Sequence, residues 1–360
     1  MYFKSVELKN FRNYKDQRAE FDPSLNIILG DNAQGKTNLL ESLYIMGLGK
    51  SFKTSTDKEM IAFGEEFARA KAVISGKGPA DTVIEIIFNK EGKIIKTDGI
   101  KLSRTAELLE NVYVVVFSPE DLRIVKDGPE HRRRFLDREL CQIKPVYYSD
   151  LGNYKKVLKQ RNALLRDQCS DLGLFEVFDE SLSDYGMRVI EERKRFTERL
   201  LGICSDIHLK ISNNREELKI SYETDIKNKD QFRQKLKDDL EKDLIRGYTG
   251  FGPHKDYLGI SINGMDIRTY GSQGQQRTAS LSMKLAEIEL IKQETGQSPV
   301  LLLDDVFSEL DKNRQRFLIE SMKDVQIFVT AAGIEDGLMD ILPKGNVYYV
   351  DNGKISIYNR

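Results

Sequence analysis

The segment GDNAQGKT, Gly30–Thr37, constrains this chain more than any other. It follows the apolar run Asn26–Leu29 and leads into a stretch from Lys36 to about Met46, with Leu39, Leu40, Leu43 and Ile45 at helical intervals. Strand, glycine-bearing loop and helix in that order make a cradle for phosphate. Gly30 and Gly35 permit the torsions that turn successive N–H groups round an anion. Lys36 sets a point charge on the β- and γ-phosphates, Thr37 offers its hydroxyl to Mg²⁺, and the helix presents its positive end. Nucleotide binding with Mg²⁺ is therefore expected.

A second signal lies 268 positions beyond Lys36 (304 − 36), where Val300–Leu303 ends in Asp304 and Asp305. A short apolar run closed by carboxylates reads as a buried parallel strand that delivers acid to the edge where α/β sheets bind ligands. Asp304 is expected to hold Mg²⁺ through water, and Asp305 to orient or polarise an attacking water. The long separation requires a large insertion between the two motifs.

The third signal is GSQGQQRT, Gly271–Thr278, just before a helix-forming stretch, Ala279–Gln293. It has two readings. One is a polar N-terminal cap, with Ser272 or Thr278 as the cap residue. The other is a second anion-binding helix start. One site has little use for two such starts, whereas a dimer in which each copy completes the other's site uses both.

The frame around these motifs is α/β. Strand-like runs fill the first third, and strands alternate with helices after Gly247, through ISINGMDI, PVLLLDD, a helix near Lys312–Lys323, QIFVT and NVYYV. Between about Tyr148 and Arg246 the chain is charged and apolar at helical intervals, so it forms either an ordinary helical subdomain or a short antiparallel coiled-coil arm. The expected division is residues 1–147 and 247–360 as two parts of one head, with 148–246 inserted. Lys and Arg number 56 against 57 Asp and Glu, so any nucleic-acid contact must rest on local patches. Candidates are His131–Arg134; Lys50 and Lys53 flanking Phe52; and Lys155, Lys156, Lys159 and Arg161. Arg132–Arg134 have intramolecular ion pairs as the alternative. Cys141, Cys169 and Cys204 show neither metal nor redox spacing. No apolar run approaches the ~20 residues that cross a bilayer, and a soluble, cytoplasmic protein is expected.

Taken together, LKNFRNY, NAQGKTNLLESLY, GKSFKTS, SPEDLRIVKDGPEHRRRFLD, QRNALL, GPHKDYL, SQGQQRT and DDVFSELD resemble the RecF family of the SMC/Rad50-like ATP-binding-cassette ATPases. The resemblance spans nearly the whole chain and is looser through residues 150–246. It implies an ABC-type P-loop ATPase head, a mixed sheet with flanking helices and an antiparallel β lobe, carrying an inserted, mainly helical arm.

The resemblance implies that the nucleotide is ATP and, by position, contacts to it from Arg12, Asn13, Gly30, Asp31, Asn32, Ala33, Gln34, Gly35, Lys36, Thr37 and Asn38. From the opposite subunit it implies Ser272, Gly274 and Gln275. Thr37 and Asp304 would be the metal-side pair, and Lys36, Asp304, Asp305 and Ser272 the groups that carry hydrolysis. Ser308–Asp311 resembles the loop that crosses the dimer seam, and Ser118–Asp121 stands where a γ-phosphate-sensing loop is found. Gapped or junction DNA, an ATP-driven homodimer, RecR, RecO and the RecA filament are the implied partners. The function implied is recombinase loading in repair. Heads of nuclease or transport ATPases are the alternative.

The chain departs from the cassette pattern at two places. Asp305 stands where many relatives carry Glu, one methylene longer. QIFVT runs into Ala331 and Ala332 where most carry a switch histidine, with Thr330 the nearest polar group. Both departures imply slow hydrolysis. His254 in GPHKD reads as a turn residue.

Overall fold

The computed structural model describes residues 1–358 except 77, 79, 321, 323 and 334–343, and omits the Glu309 side chain. The chain begins with β1 (Tyr2–Phe11), β2 (Tyr14–Glu20), β3 (Leu25–Leu29), α1 (Lys36–Leu48), β4 (Phe67–Ser75), β5 (Asp81–Asn89), β6 (Gly92–Thr97), β7 (Ile100–Lys101) and β8 (Val114–Phe117). Next come α2 (Arg123–Lys126), α3 (Pro129–Ile143), α4 (Pro145–Arg166), α5 (Leu172–Ile211), β9 (Leu218–Glu223), α6 (Lys229–Asp238) and α7 (Leu240–Arg246). The last stretch holds β10 (Tyr257–Ile262), β11 (Met265–Asp266), α8 (Ile267–Tyr270), α9 (Gln273–Thr295), β12 (Val300–Asp304), α10 (Lys312–Glu320), β13 (Ile327–Ala331), β14 (Asn346–Asp351) and β15 (Lys354–Ile357). The expected end of α10 near Lys323 lies outside the described residues.

Internal contacts divide the chain into two units: Met1–Asp121 with Lys284–Arg360, and Leu122–Met283. The first holds two six-stranded sheets. One runs β2-β1-β4-β5-β6-β7, antiparallel throughout. The other runs β15-β14-β3-β13-β12-β8, parallel except for β15. This is the ABC-type head fold, with its mixed sheet and antiparallel lobe. β3 and β12 are buried at every position, as strands covered on both faces must be, so they read as unbroken apolar runs.

Helix α1 buries Leu39, Leu40, Leu43, Tyr44, Ile45, Met46 and Leu48, apolar on all sides. A helix of that kind is stable only when enclosed. It shares one core with Phe3, Phe11 and Phe88 of the antiparallel sheet and Val114, Leu302 and Phe328 of the parallel one. The phosphate-loop helix is thereby fixed from two sides.

In the second unit α5 runs 40 residues, ~60 Å at 1.5 Å per residue. It packs against α3, α4, α6 and the sheet β11-β10-β9. Of the two readings of the middle segment, the ordinary subdomain is the one found, because β9 and α6 cover faces that a free coiled coil leaves to water. The changes of composition at Tyr148 and Arg246 fall inside this unit, whose borders lie at 121/122 and 283/284. Its interior is unusually polar. Arg161 donates to Asp179 (2.6 Å) and Asp243 (2.8 Å), all three buried. Arg193 donates to Asp137, Tyr147 and the Pro253 carbonyl.

Arg132, one of the basic DNA candidates, is fully buried and donates to the carbonyls of Ile124, Val125 and Leu258. Arg133 donates to the Asp256 carbonyl, and exposed Arg134 pairs with Glu130. Arg132 therefore leaves the DNA candidates, since a sealed guanidinium cannot meet phosphate; of the expected ion pairs the structure shows Arg134 with Glu130, whereas Arg132 and Arg133 are held by backbone carbonyls. Arg161 leaves the basic stripe for the same reason.

His254 is half-buried. Its Nδ1 meets the Tyr154 hydroxyl at 2.6 Å and its Nε2 meets the Thr249 carbonyl at 2.9 Å, so Nε2 carries the proton and Nδ1 accepts. Burial holds this imidazole down to about 4. In the unfolded chain a histidine takes up a proton near pH 6.5, so the folded state binds fewer protons between these values. Stability should therefore be whole above about pH 6.5 and decline by up to ~3 kcal/mol as pH falls to about 4. Thermal melts across that window should show the slope in wild type and a flatter one in His254→Gln. Equal slopes would assign the effect to other groups.

Candidate nucleotide site

The loop Gly30–Thr37 joins the C-terminal end of β3 to the start of α1. Gly30 (φ 149), Ala33 (φ 67) and Gly35 (φ 123) all have positive φ. A Cβ on Gly35 would stand 2.6 Å from Asn13 Nδ2, so glycine is required by space as well as torsion. Helix α1 starts without a side-chain cap and has no acid in its first turn. Its leading N–H groups thus face the loop's concavity with no anionic side chain of their own. Lys36 is buried, and its Nζ donates to the carbonyls of Gly30 (2.7 Å) and Asp31 (3.1 Å). Asp31, Asn32 and Ala33 are exposed along the outer rim.

Thr37 and Asp304 lie 267 positions apart in sequence and meet at 2.9 Å, the Thr37 hydroxyl donating to Asp304 Oδ1. Thr330 donates to the same oxygen at 2.9 Å and accepts from the Asp305 N–H at 3.0 Å. The parallel pairing of β12 with β13, Asp304 beside Thr330, sets this contact. Burial pushes the Asp304 carboxyl above its usual range, partly offset by hydrogen bonds from Thr37 and Thr330; the charge on Asp305 adds to the rise and that on Lys53 opposes it. Asp305 sits at φ 53, a left-handed conformation that a non-glycine residue adopts at a local energetic cost. Lys53, a DNA candidate by sequence, instead donates to Asn38 Oδ1 at 3.2 Å on this edge.

Tyr14, Glu41, Asn352 and Gly353, which went unassigned in the sequence, join Arg12 and Asn13 around the loop and its helix. Tyr14 is buried, its hydroxyl donates to the Gly35 carbonyl at 2.8 Å, and burial raises its pKa. Asn13 donates to the Gln34 carbonyl at 2.7 Å and accepts from Asn38 at 2.9 Å. From the β14–β15 turn, Asn352 and Gly353 donate backbone N–H groups to Gln34, at 2.7 and 3.1 Å. Arg12 donates through two nitrogens to Glu41, at 2.9 and 2.8 Å, and Glu41 is wholly buried on α1. The structure thus brings Asn13 to the loop and turns the Arg12 side chain onto the helix behind it. Glu41 did leave a signal: a lone carboxylate inside LLESLY needs a buried cation.

Ser118 and Asp121 form a closed turn after β8, the Ser118 N–H donating to Asp121 Oδ2 at 2.7 Å. Ser308 donates to the Asp305 carbonyl, and Asp311 caps α10 by accepting from the Arg314 N–H at 3.0 Å.

Ser272 belongs to the second unit and is exposed at the start of α9. Its Oγ accepts from the Gln275 N–H at 3.2 Å, while its own N–H donates to Gln275 Oε1 at 2.9 Å. That reciprocal pair is a capping box. The cap reading therefore holds, and Gly274 beside it is also exposed. The capped hydroxyl keeps its own proton for another acceptor.

A phosphate loop between strand and helix, a buried central strand ending in carboxylates, and an antiparallel sheet sharing the helix's core define the head of an ATP-binding-cassette ATPase. The family model for the N-terminal domain of RecF, RecN and SMC proteins matches residues 2–340. The DNA replication and repair protein RecF of Clostridium botulinum (strain ATCC 19397) is 45% identical over 362 residues, covering 99% of each chain. RecF of Lachnoclostridium phytofermentans is 44% identical over 359 residues, again 99% of each. A solved structure of the recombination mediator protein RecF with ATP, of the RecFOR pathway, aligns with TM-score 0.92 at 37% identity, over 99% of this chain and 98% of that one. An Smc head bound to the C-winged helix domain of ScpA shares the fold, with TM-score 0.58 at 16% identity over 99% and 97%. The chain belongs to the RecF family.

Proposed function

We propose that this chain is an ATP-dependent DNA-binding protein of recombinational repair, which dimerises on ATP and uses slow hydrolysis as its release step. The meeting of Thr37 with Asp304 carries the reading, because it joins the phosphate loop to a carboxylate-ended strand across most of the sequence. The reading is supported by relatives that are RecF proteins of replication and repair, and by a RecF solved with ATP.

Gly30–Asn38, with Asn13, would surround the phosphates, and Lys36 would neutralise them. The donor set fits Mg²⁺, a hard cation that prefers oxygen ligands: Thr37 hydroxyl and Asp304 carboxylate would hold it, and it would supply charge neutralisation on the phosphates. Arg12 enters this reading as a support for α1 through Glu41. Asp305 would orient water, but its short side chain and strained backbone limit its reach. Thr330, the polar group nearest the switch-histidine position, is already committed to Asp304 and Asp305. Turnover should therefore stay below the ~10 per second typical of enzymes.

Dimerisation follows from the γ-phosphate. Ser272 and Gly274 would bind it from the partner copy, together with Gln275 and the start of α9. ADP lacks that group, so the differential affinity for the closed pair disappears. The implied partners are gapped or junction DNA, RecR, RecO and the RecA filament, met in the cytoplasm. No helix among the described residues is long and apolar enough to cross a membrane.

Sedimentation with ADP, ATP and a slowly hydrolysed analogue tests the core of this reading. Dimer should form with ATP and the analogue and be absent with ADP. Lys36→Met should lose both nucleotide and dimer. A particle that stays monomeric with ATP bound overturns the proposal.

A further inference from the structure

We infer that the exposed face of α4 is the surface on which this chain holds the sugar–phosphate backbone of duplex DNA; the inference rests on the DNA-binding reading above and names its site. Helix α4 carries Lys155, Lys156, Lys159, Arg161 and Arg166 against one acid, Asp150, a balance of 5 − 1 = +4 in a chain whose net charge is −1. Its neighbour α5 has six cations and eight acids, 6 − 8 = −2. The structure sharpens this contrast. Asp150 is buried and takes a hydrogen bond from Arg188, and Arg161 is sealed between Asp179 and Asp243. The exposed face therefore holds four cations and no carboxylate.

These cations are arranged. Lys155, Lys159 and Arg166 lie at steps of four and seven, which puts them within a stripe about 40° wide and ~16 Å long. Duplex DNA presents one charge per ~1.7 Å of axis, so a stripe of this length faces several phosphates at once. Gly152, one turn before Lys155, has nothing within 4 Å of where a Cβ would stand, which keeps the surface low for a close backbone. Lys156, Lys159 and Arg166 enter no ion pair among the described residues. Lys155 meets Asp137 at 3.3 Å with 61% of its side chain exposed, a pair that water and salt weaken. Buried Tyr147, Tyr154, Arg161 and Leu165 anchor the opposite face, so the cations stand on a rigid support.

The face also lacks what other partners need. From Gly152 onward its exposed positions are Gly152, Asn153, Lys155, Lys156, Lys159, Gln160 and Arg166, with no aromatic or large apolar side chain; exposed Val146, in the first turn of α4, stands about 180° round the helix from Lys155. A protein interface needs such an anchor, and single-stranded bases need an aromatic platform. What remains is charge on a firm helix, which suits a duplex backbone.

The test compares two triple variants of the full chain in the presence of the ATP analogue, titrated with a labelled blunt DNA duplex over a series of salt concentrations. Lys155→Gln/Lys156→Gln/Lys159→Gln should bind more than ~10-fold more weakly at ~0.1 M salt, with a log–log salt slope shallower by about 3. Lys235→Gln/Lys237→Gln/Lys242→Gln removes the same charge from α6 and α7, where carboxylates already pair with these lysines, and should stay within about twofold of wild type. Sedimentation with the analogue should show both variants dimerising, which establishes that they fold. Wild-type slope and affinity in the α4 variant, or equal losses in both, overturn the inference and leave the nucleotide reading standing. Wild type that binds no duplex with ATP overturns the DNA-binding reading, and this inference with it.

Discussion

Ser272→Arg is expected to abolish ATP-driven association while leaving nucleotide bound to the single chain. The Ser272 hydroxyl caps α9 by accepting from the Gln275 N–H, and arginine has no acceptor to replace it. The lost cap alone costs about 0.5–2 kcal/mol at that helix start. The larger effect is steric, since arginine fills the exposed position that, in the proposed dimer, would come against a partner's γ-phosphate. The phosphate loop and Asp304 lie in the other unit and keep their hydrogen bonds. Equilibrium binding of a fluorescent ATP analogue should be within about twofold of wild type, while sedimentation shows association weakened by at least ~100-fold, or ~2.7 kcal/mol. Unchanged dimer would leave the exposed capping box with a purely structural role. Loss of nucleotide together with dimer would mean that the two units are energetically inseparable.

Arg161→Met should remove about 3–5 kcal/mol of stability from the second unit. The substitution leaves Asp179 and Asp243 buried without their shared cation. Burial already holds the Asp179 carboxyl above its usual range even with Arg161 offsetting it. A carboxyl raised in the folded state favours folding at low pH and disfavours it as pH rises. The deficit of the variant should therefore shrink in acid and grow toward neutral pH. Urea unfolding followed at several pH values measures this directly. Arg161→Met combined with Asp179→Leu and Asp243→Leu should regain most of the loss, because the damage lies in unpaired charge and not in missing attraction. A variant that stays poor after the carboxylates are removed would place the loss in packing around Thr249 instead.

The parts of the site that the sequence displayed are those in which local chemistry is self-sufficient. A loop such as GDNAQGKT needs its glycines, its lysine and its hydroxyl within eight consecutive positions, because one phosphate group must meet them together. VLLLDD is equally plain, since a strand buried on both faces is apolar at every step until it reaches the ligand edge. The supports were hidden for the opposite reason. Tyr14, Asn352 and Gly353 act on the loop from elements outside it, and nothing about a tyrosine in LKNFRNY tells that its hydroxyl will meet the Gly35 carbonyl.

Basic residues show the same division. HRRR is the densest run of positive charge in the chain, yet Arg132 is an interior strut that satisfies backbone carbonyls. KKVLKQR mixes two fates within seven residues, with Lys155, Lys156 and Lys159 exposed and Arg161 sealed. Charge density along a sequence cannot separate them, because helical rotation by 100° per residue sends neighbours to opposite environments.

By itself the sequence determined that a glycine-bearing loop, Gly30–Thr37, links an apolar strand to a helix in the order that makes a cradle for phosphate, and that the head is α/β. These properties reside in contiguous motifs and in periodicity, which a linear chain states directly. Only the tertiary structure decided that Thr330 ties Asp304 to Asp305, that Arg12 serves Glu41, and which cations remain in water. Each of those outcomes depends on burial and on pairing between residues far apart, and both come into existence only when β12 lies beside β13 and the helices close over one another.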